Sequence, residues 1–209
     1  MPTASSKRMS LVESLVALHE VRRDEIVITT MAPAREWQKL GKSPLDFVLV
    51  PSSMGQATSL GLGIALAQPE RKIVVCNGDG SMLMNLGSLV TITAQAPGNL
   101  IIIVFDNGVY EITGSQPTPA APPLRQDAAA TVDFGALASA CGFRQVWAYH
   151  KIEDWRENVA DLIDGPGPVF VHLLIEPVHT DELLRPPGPS PERARAFREH
   201  LMRAESRKT

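Results

Sequence analysis

Short runs dense in apolar and β-branched residues alternate along this chain with stretches whose apolar positions recur every three or four residues. The runs at 25–30, 47–50, 72–76, 100–105, 144–147 and 168–175 predict strands. Two of them, Ile73-Val74-Val75-Cys76 and Leu100-Ile101-Ile102-Ile103-Val104-Phe105, are apolar at every position, the pattern of strands covered on both faces of a parallel sheet. Helical spacing marks 9–21 (Leu11, Leu15, Val16, Leu18), 35–40, 54–68, 85–95, 134–140 and 153–163. This succession predicts an α/β fold, a doubly wound parallel sheet with helices on both faces, spanning 1–185. A helix within 186–209, capped by Ser190 and opened by Pro191, is expected to pack on or beside it.

The helix at 54–68 carries small residues every four positions in two sets: Gly55, Ser59, Gly63 and Ala67, and Ala57, Gly61 and Ala65. Either ridge permits close approach of another backbone, from the chain's own sheet or from a second subunit. Gly61 and Gly63 do not form a dinucleotide fingerprint, because they fall inside the helix rather than at a strand-to-helix turn.

Composition narrows the class. With 44% hydrophobic residues over 209 positions the chain can bury a substantial core, and a net charge of -3 gives no electrostatic reason to bind nucleic acid. Cys76 and Cys141 have no metal-site spacing and are expected to be free thiols, consistent with a reducing, cytoplasmic location. No apolar run approaches the roughly 18 residues of a membrane span, and the polar start lacks a signal peptide's apolar stretch.

Candidate chemistry concentrates where two strand runs end. Asn77-Gly78-Asp79-Gly80-Ser81 follows one, and Asp106-Asn107-Gly108 follows the next. In a parallel sheet both loops lie at the carboxyl edge, facing one crevice. Asp79 and the amide oxygen of Asn107 are hard donors suited to magnesium, Gly78 and Gly80 allow close backbone approach, and a helix beginning near Ser81 would turn N–H groups toward an anion.

The paired motif closely resembles the cofactor-binding signature of thiamine diphosphate-dependent enzymes, Gly-Asp-Gly, then about two dozen residues, then Asn-Asn. Ser52-Ser53-Met54-Gly55, the run from Gly78 to Gly87, and Asp106-Asn107-Gly108-Val109-Tyr110 continuing to Thr118 resemble the sulfopyruvate and phosphonopyruvate decarboxylase group, specifically its beta-type subunit or the carboxyl half of its single-chain members. That resemblance implies thiamine diphosphate and Mg2+ as cofactors. It makes Asp79, Asn107 and the Val109 carbonyl the metal ligands. Gly80 and Ser81 would bind the diphosphate, the Ser52 carbonyl would accept a hydrogen bond from the aminopyrimidine, and Ser53, Gly78 and Tyr110 would also line the cofactor site. Met54 matches the apolar residue that holds the cofactor bent, although filling the core is the alternative for such a side chain. Asp106 replaces the first Asn and is expected to brace its loop.

In that family the carboxylate that activates the pyrimidine ring lies on a second, homologous domain. The chain is therefore expected to be half of an enzyme, completed by an alpha-type, pyrimidine-binding subunit in a heterotetramer, and no certain catalytic residue is expected in the chain itself. The implied reaction is decarboxylation of a short 2-oxo acid; an acetolactate synthase-like carboligase subunit and a non-catalytic cofactor-binding subunit are the alternatives. Substrate candidates are Arg35, Glu111, Ile112 and Thr113. Arg35 has the donor fork to hold an anion, or equally an ion pair at a helix start. The family's threonine-glycine after the first strand is Thr30-Met31 here, and its Tyr-Gly-Ser-Thr is Tyr110-Glu111-Ile112-Thr113.

Three further segments complete the reading. The Pro-rich stretch 114–131 is expected to be a flap that orders with cofactor. His172, alternating with Phe170 and Leu174, faces core or crevice, and no histidine has metal-site spacing. Arginines of the last helix are interspersed with glutamates, as on a solvated or partner-facing surface.

Overall fold

The computed structural model describes residues 8–49, 54–120, 132–178 and 185–205. In chain order the elements are α1 (Leu11–Val21), β1 (Ile26–Thr29), α2 (Met31–Leu40), β2 (Asp46–Val48), α3 (Ala57–Ala67), β3 (Ile73–Gly78), α4 (Asp79–Leu83), α5 (Gly87–Gln95), β4 (Leu100–Asp106), β5 (Val109–Tyr110), β6 (Gln116–Pro117), α6 (Phe134–Ala140), β7 (Gln145–Tyr149), α7 (Ile152–Asp164), β8 (Val169–Leu174) and α8 (Ser190–Glu205). Six strands form one sheet in the order β2-β1-β3-β4-β8-β7 with every pairing parallel. The expected α/β sheet is thus present. Strands β5 and β6 form a separate antiparallel ribbon beside it.

Alternation along the central strands divides the core in two. Val74, Cys76, Ile101 and Ile103 pack with Leu15, Trp37 and Trp155 of α1, α2 and α7, whereas Ile73, Val75, Leu100 and Ile102 pack with Leu62, Leu89 and Phe134 of α3, α5 and α6. Because both faces are covered, β3 and β4 need apolar side chains at successive positions, which explains their unbroken apolar runs.

Element boundaries depart from the sequence expectation at two places that matter for the site. Helix α2 starts at Met31, ahead of the expected 35–40, because extended Thr30 serves as its N-cap residue and Pro33 falls in the first turn, where its missing N–H costs no helical bond. The segment after β3 divides into α4, which begins at Asp79 itself, and α5. A chain reversal is thereby set directly at the end of β3.

The two small-residue ridges of α3 have different fates. Ala57, Gly61 and Ala65 are buried, and a Cβ at Gly61 would lie 2.4 Å from Val75 Cγ2, so the helix rests on β3 at its glycine. Ser59, Gly63 and Ala67 point outward, with nothing within 4 Å of a Cβ at Gly63. At the sheet's edge, α8 packs across β2 through Phe197, whose ring centroid lies 5.0 Å from that of Phe47, and through Leu201, which reaches the core.

These contacts predict opposite results for neighbouring substitutions, read by denaturant unfolding of the isolated chain. Gly61→Ala should destabilise it by about 1–3 kcal/mol, because the packed, β-branched Val75 cannot yield. Gly63→Ala should be neutral or stabilise it by up to about 1 kcal/mol through helix propensity.

Candidate functional site

From β1 the chain runs outward to β2 and then returns to place β3 on the other flank of β1, so the connections after β1 and β3 diverge. Such a switch point leaves a crevice at the carboxyl edge of the sheet. A cleft lies there, lined by the start of α2 (Met31, Ala32, Pro33), by Met54, by Gly78 to Ser81 and Met84, and by Asn107 and Val109 to Thr113. Pairing of β3 with β4 sets Gly78 opposite Phe105, so both loops leave the sheet at one level.

Asp79 is 2% exposed and occupies the floor. Its Oδ2 accepts hydrogen bonds from the Gly108 N–H at 3.1 Å and from the Thr118 hydroxyl at 3.3 Å. Burial, reinforced by the neighbouring Asp106 charge, pushes its pKa up to about 7. Asp106 belongs to the loop's own scaffold: its Oδ1 accepts from the Gly108 N–H at 3.0 Å, and its Oδ2 lies 2.8 Å from His172 Nε2. The His172 ring is set edge-on to Phe134, with centroids 5.5 Å apart, so this histidine sits beneath the loop rather than in the open crevice.

Asn107 is held at both ends of its amide. Oδ1 accepts from the Val109 N–H at 3.0 Å, and Nδ2 donates to Glu111 Oε2 at 2.8 Å. Glu111 Oε1 in turn lies 3.1 Å from Arg35 Nη2, whose Nε donates to Glu36 Oε1 at 2.7 Å. Burial opposes the Arg35 charge, but hydrogen bonds to Glu36 and then Glu111 outweigh it and hold the guanidinium above its usual pKa. Arg35 therefore lies one layer behind the cleft wall, tied to two carboxylates.

Glycines fit the cleft to its neighbours. A Cβ at Gly80 would come within 2.6 Å of the Tyr110 ring, so the ring closes directly over the Asp79-Gly80 turn. Gly55, at φ +79, donates its N–H to Ser81 Oγ at 3.0 Å and accepts at its carbonyl from Asn85 Nδ2 at 2.8 Å. Met54 is thereby carried to the mouth, where it is 40% exposed and lines the cleft instead of filling the core. Met31 retains a left-handed φ of 57 where the resembling family has glycine, and directs a buried side chain into the cleft wall.

The structure thus brings together Met54, Gly78, Asp79, Gly80, Ser81, Asn107, Val109, Tyr110, Glu111, Ile112 and Thr113, and sets Arg35 behind them. Ser52 and Ser53 lie outside the described residues. The expected flap at 114–131 is in part fixed: Thr118 donates its N–H to the Gly108 carbonyl at 2.9 Å, and Thr118 and Ala120 are buried, while 121–131 lie outside the described residues. Sequence reasoning assigned no role to Asn85 or Thr118 and did not pair His172 with Asp106. Asn85 falls within the family-like run from Gly78 to Gly87 and Thr118 ends the run from Asp106, which is the sign the sequence offers for both.

Among the described residues no three His, Cys, Asp or Glu side chains gather to hold a metal, so a cation here would draw on amide, backbone and ligand oxygens. One buried carboxylate with a second beside it, plus an amide oxygen, is a hard-donor set that fits magnesium and a phosphorylated ligand. Open parallel α/β sheets bind their ligands in the crevice at such a switch point.

The family model described as thiamine pyrophosphate enzyme, C-terminal TPP binding domain, matches residues 30–173, and the chain belongs to this family. It is 42% identical over 196 residues to a phosphonopyruvate decarboxylase of Streptomyces viridochromogenes, covering 93% of this chain and 46% of that protein, and so spans about half of that relative's length. Over 171 residues it is 42% identical to sulfopyruvate decarboxylase subunit beta of Methanothermobacter thermautotrophicus, covering 81% of this chain and 84% of the subunit. A solved structure of 2-oxoglutarate:ferredoxin oxidoreductase from Magnetococcus marinus superposes with a TM-score of 0.67 at 16% identity, covering 90% of this chain and 72% of the other, which establishes likeness of fold.

The raised Asp79 pKa has a defined sign in folding. The folded state holds this proton up to about pH 7 and the unfolded chain releases it near 3.8, so in the absence of metal the stability contribution is present below pH 4 and is lost as pH rises through 7. In the presence of chelator, Asp79→Asn should melt several degrees above the unsubstituted chain at pH 8, with the difference vanishing near pH 4. Thermal unfolding across that range checks it.

Proposed function

We propose that this chain is the diphosphate- and magnesium-binding subunit of a cytoplasmic thiamine diphosphate-dependent 2-oxo acid decarboxylase of the sulfopyruvate/phosphonopyruvate kind. Its complement is an alpha-type subunit, in a heterotetramer, that supplies the pyrimidine-binding half of the site. The observation that carries this reading is the convergence of Asp79 and Asn107 at the switch point of a chain that matches a sulfopyruvate decarboxylase beta subunit over most of that subunit's length.

In this assignment the Asp79 carboxylate, Asn107 Oδ1 and the Val109 carbonyl hold the cation, and Gly78, Gly80 and Ser81 hold the diphosphate. When bound, thiamine diphosphate supplies the carbanion and electron sink that decarboxylation requires. Tyr110, lying over Gly80, covers the Asp79-Gly80 turn. Met54 and Met31 give the cofactor's middle an apolar seat. Glu111, Ile112 and Thr113 form the rim nearest the substrate. No Arg or Lys lines the cleft among the described residues, and Arg35 is paired with two carboxylates of the chain itself.

The outer surface favours such a partner. Residues 54–69 and 80–105 contain no charged side chain, although α3 and α5 lie on the surface with Leu66, Met84 and Val90 exposed. Uncharged, small and apolar helix faces beside a cleft suit a buried subunit contact better than water. No helix among the described residues is long and apolar enough to cross a membrane.

Purification of the tagged chain with its natural partner, assayed on a panel of 2-oxo acids including sulfopyruvate and phosphonopyruvate, tests the proposal. Release of carbon dioxide and an aldehyde should require the complex, thiamine diphosphate and Mg2+, and Asp79→Ala should lower kcat/KM by more than the roughly 10–100-fold that loss of a ligand's outer support costs. Turnover by the chain alone would refute the half-site assignment, and release of a longer hydroxyketone in place of the aldehyde would refute the simple decarboxylase in favour of a carboligase.

A further inference from the structure

An amide ligand presents two nearly identical ends, and only its oxygen can serve a cation. Asn107 therefore requires something to set its orientation. The described contacts do so: with Nδ2 donating to Glu111 at 2.8 Å, Oδ1 faces the Val109 N–H at 3.0 Å and keeps a second lone pair. The flipped amide would press Oδ1 against the Glu111 carboxylate and Nδ2 against another N–H donor, leaving both contacts repulsive. Glu111 is held in turn by Arg35, 76 positions earlier within α2, and Arg35 by Glu36. The strut runs behind the cleft wall, from the helix after β1 to the loop after β4.

We infer that Glu111 is a positioning residue that fixes the Asn107 amide with its oxygen toward the cation site, and that Arg35 is the strut that fixes Glu111. This rests on the magnesium-site assignment made above. It replaces the expectation that Arg35 clamps a substrate anion, because both of its described partners are carboxylates of the chain itself. It also gives a reason for a charged residue beside the metal loop where the resembling family has glycine.

The test is a titration with Mn2+, followed by the electron paramagnetic resonance of the free ion, on the native complex with thiamine diphosphate present. Glu111→Ala should weaken Mn2+ by about 10–100-fold, as loss of support behind a metal ligand does. Glu111→Gln, isosteric and still able to accept from Nδ2, should weaken it less. The deciding arm is the Asn107→Asp background, in which position 107 has two equivalent oxygens and no N–H to orient. There Glu111→Ala should cost nothing or strengthen binding, since it removes a like charge. Equal weakening in both backgrounds would mean that Glu111 acts through its charge, as a ligand or through the fold, and would overturn the inference; so would unchanged binding in Glu111→Ala. Absence of Mn2+ uptake by the unsubstituted complex would instead overturn the metal-site assignment, and this inference with it.

Discussion

A carboxylate buried at the end of a central strand costs solvation energy that only a suitable partner returns. Asp79 is in that position, and much of the site follows from it. Parallel pairing of β3 and β4 brings the two loops to one level, so the Gly108 N–H reaches the carboxylate. Asp106 lies beside it, which raises the cost further; among the described residues the two acids are accommodated with hydrogen bonds from backbone, hydroxyl and imidazole groups and not with an arginine or lysine. A divalent cation offsets this cost directly. The arrangement is poor for the stability of the metal-free chain and well suited to binding, the compromise found where function sets the local structure.

Small residues follow the same logic of distance. Gly80 is needed because the Tyr110 ring occupies the place of its side chain, and Gly55 adopts a left-handed turn that carries Met54 to the mouth. Met31 departs from this economy. It keeps a left-handed backbone with a full side chain, a conformation that costs energy for any residue but glycine. What it provides in return is an apolar wall on this side of the cleft, next to the loop that also carries Ile112.

Much of this was legible in the sequence. The unbroken apolar runs of β3 and β4 identify strands covered on both faces, and the Asp and Asn placed just past them identify the carboxyl-edge crevice, because these features follow from local periodicity and the general geometry of parallel sheets. What was not legible depends on contacts between distant positions. The pairing of Arg35 with Glu111 spans 76 residues, and that of His172 with Asp106 spans 66, so no local pattern reveals either. The early start of α2 escaped because Met31-Ala32-Pro33 lacks helical apolar spacing, and the anchoring of Thr118 because a Pro-rich stretch has the composition of a loose loop. The two ridges of α3 are equivalent in sequence; only the position of the sheet separates the inner one from the outer.

The proposed cation site unites Asp79 and Asn107 around an ion that carries the diphosphate of thiamine diphosphate. Its most direct test is calorimetric titration of thiamine diphosphate into the purified complex, with Mg2+ and then with excess chelator, for the unsubstituted chain and for Asn107→Ala. Binding should require Mg2+ and be strongly weakened by the substitution. Equal affinity in chelator and in Mg2+, or full affinity in Asn107→Ala, would contradict it.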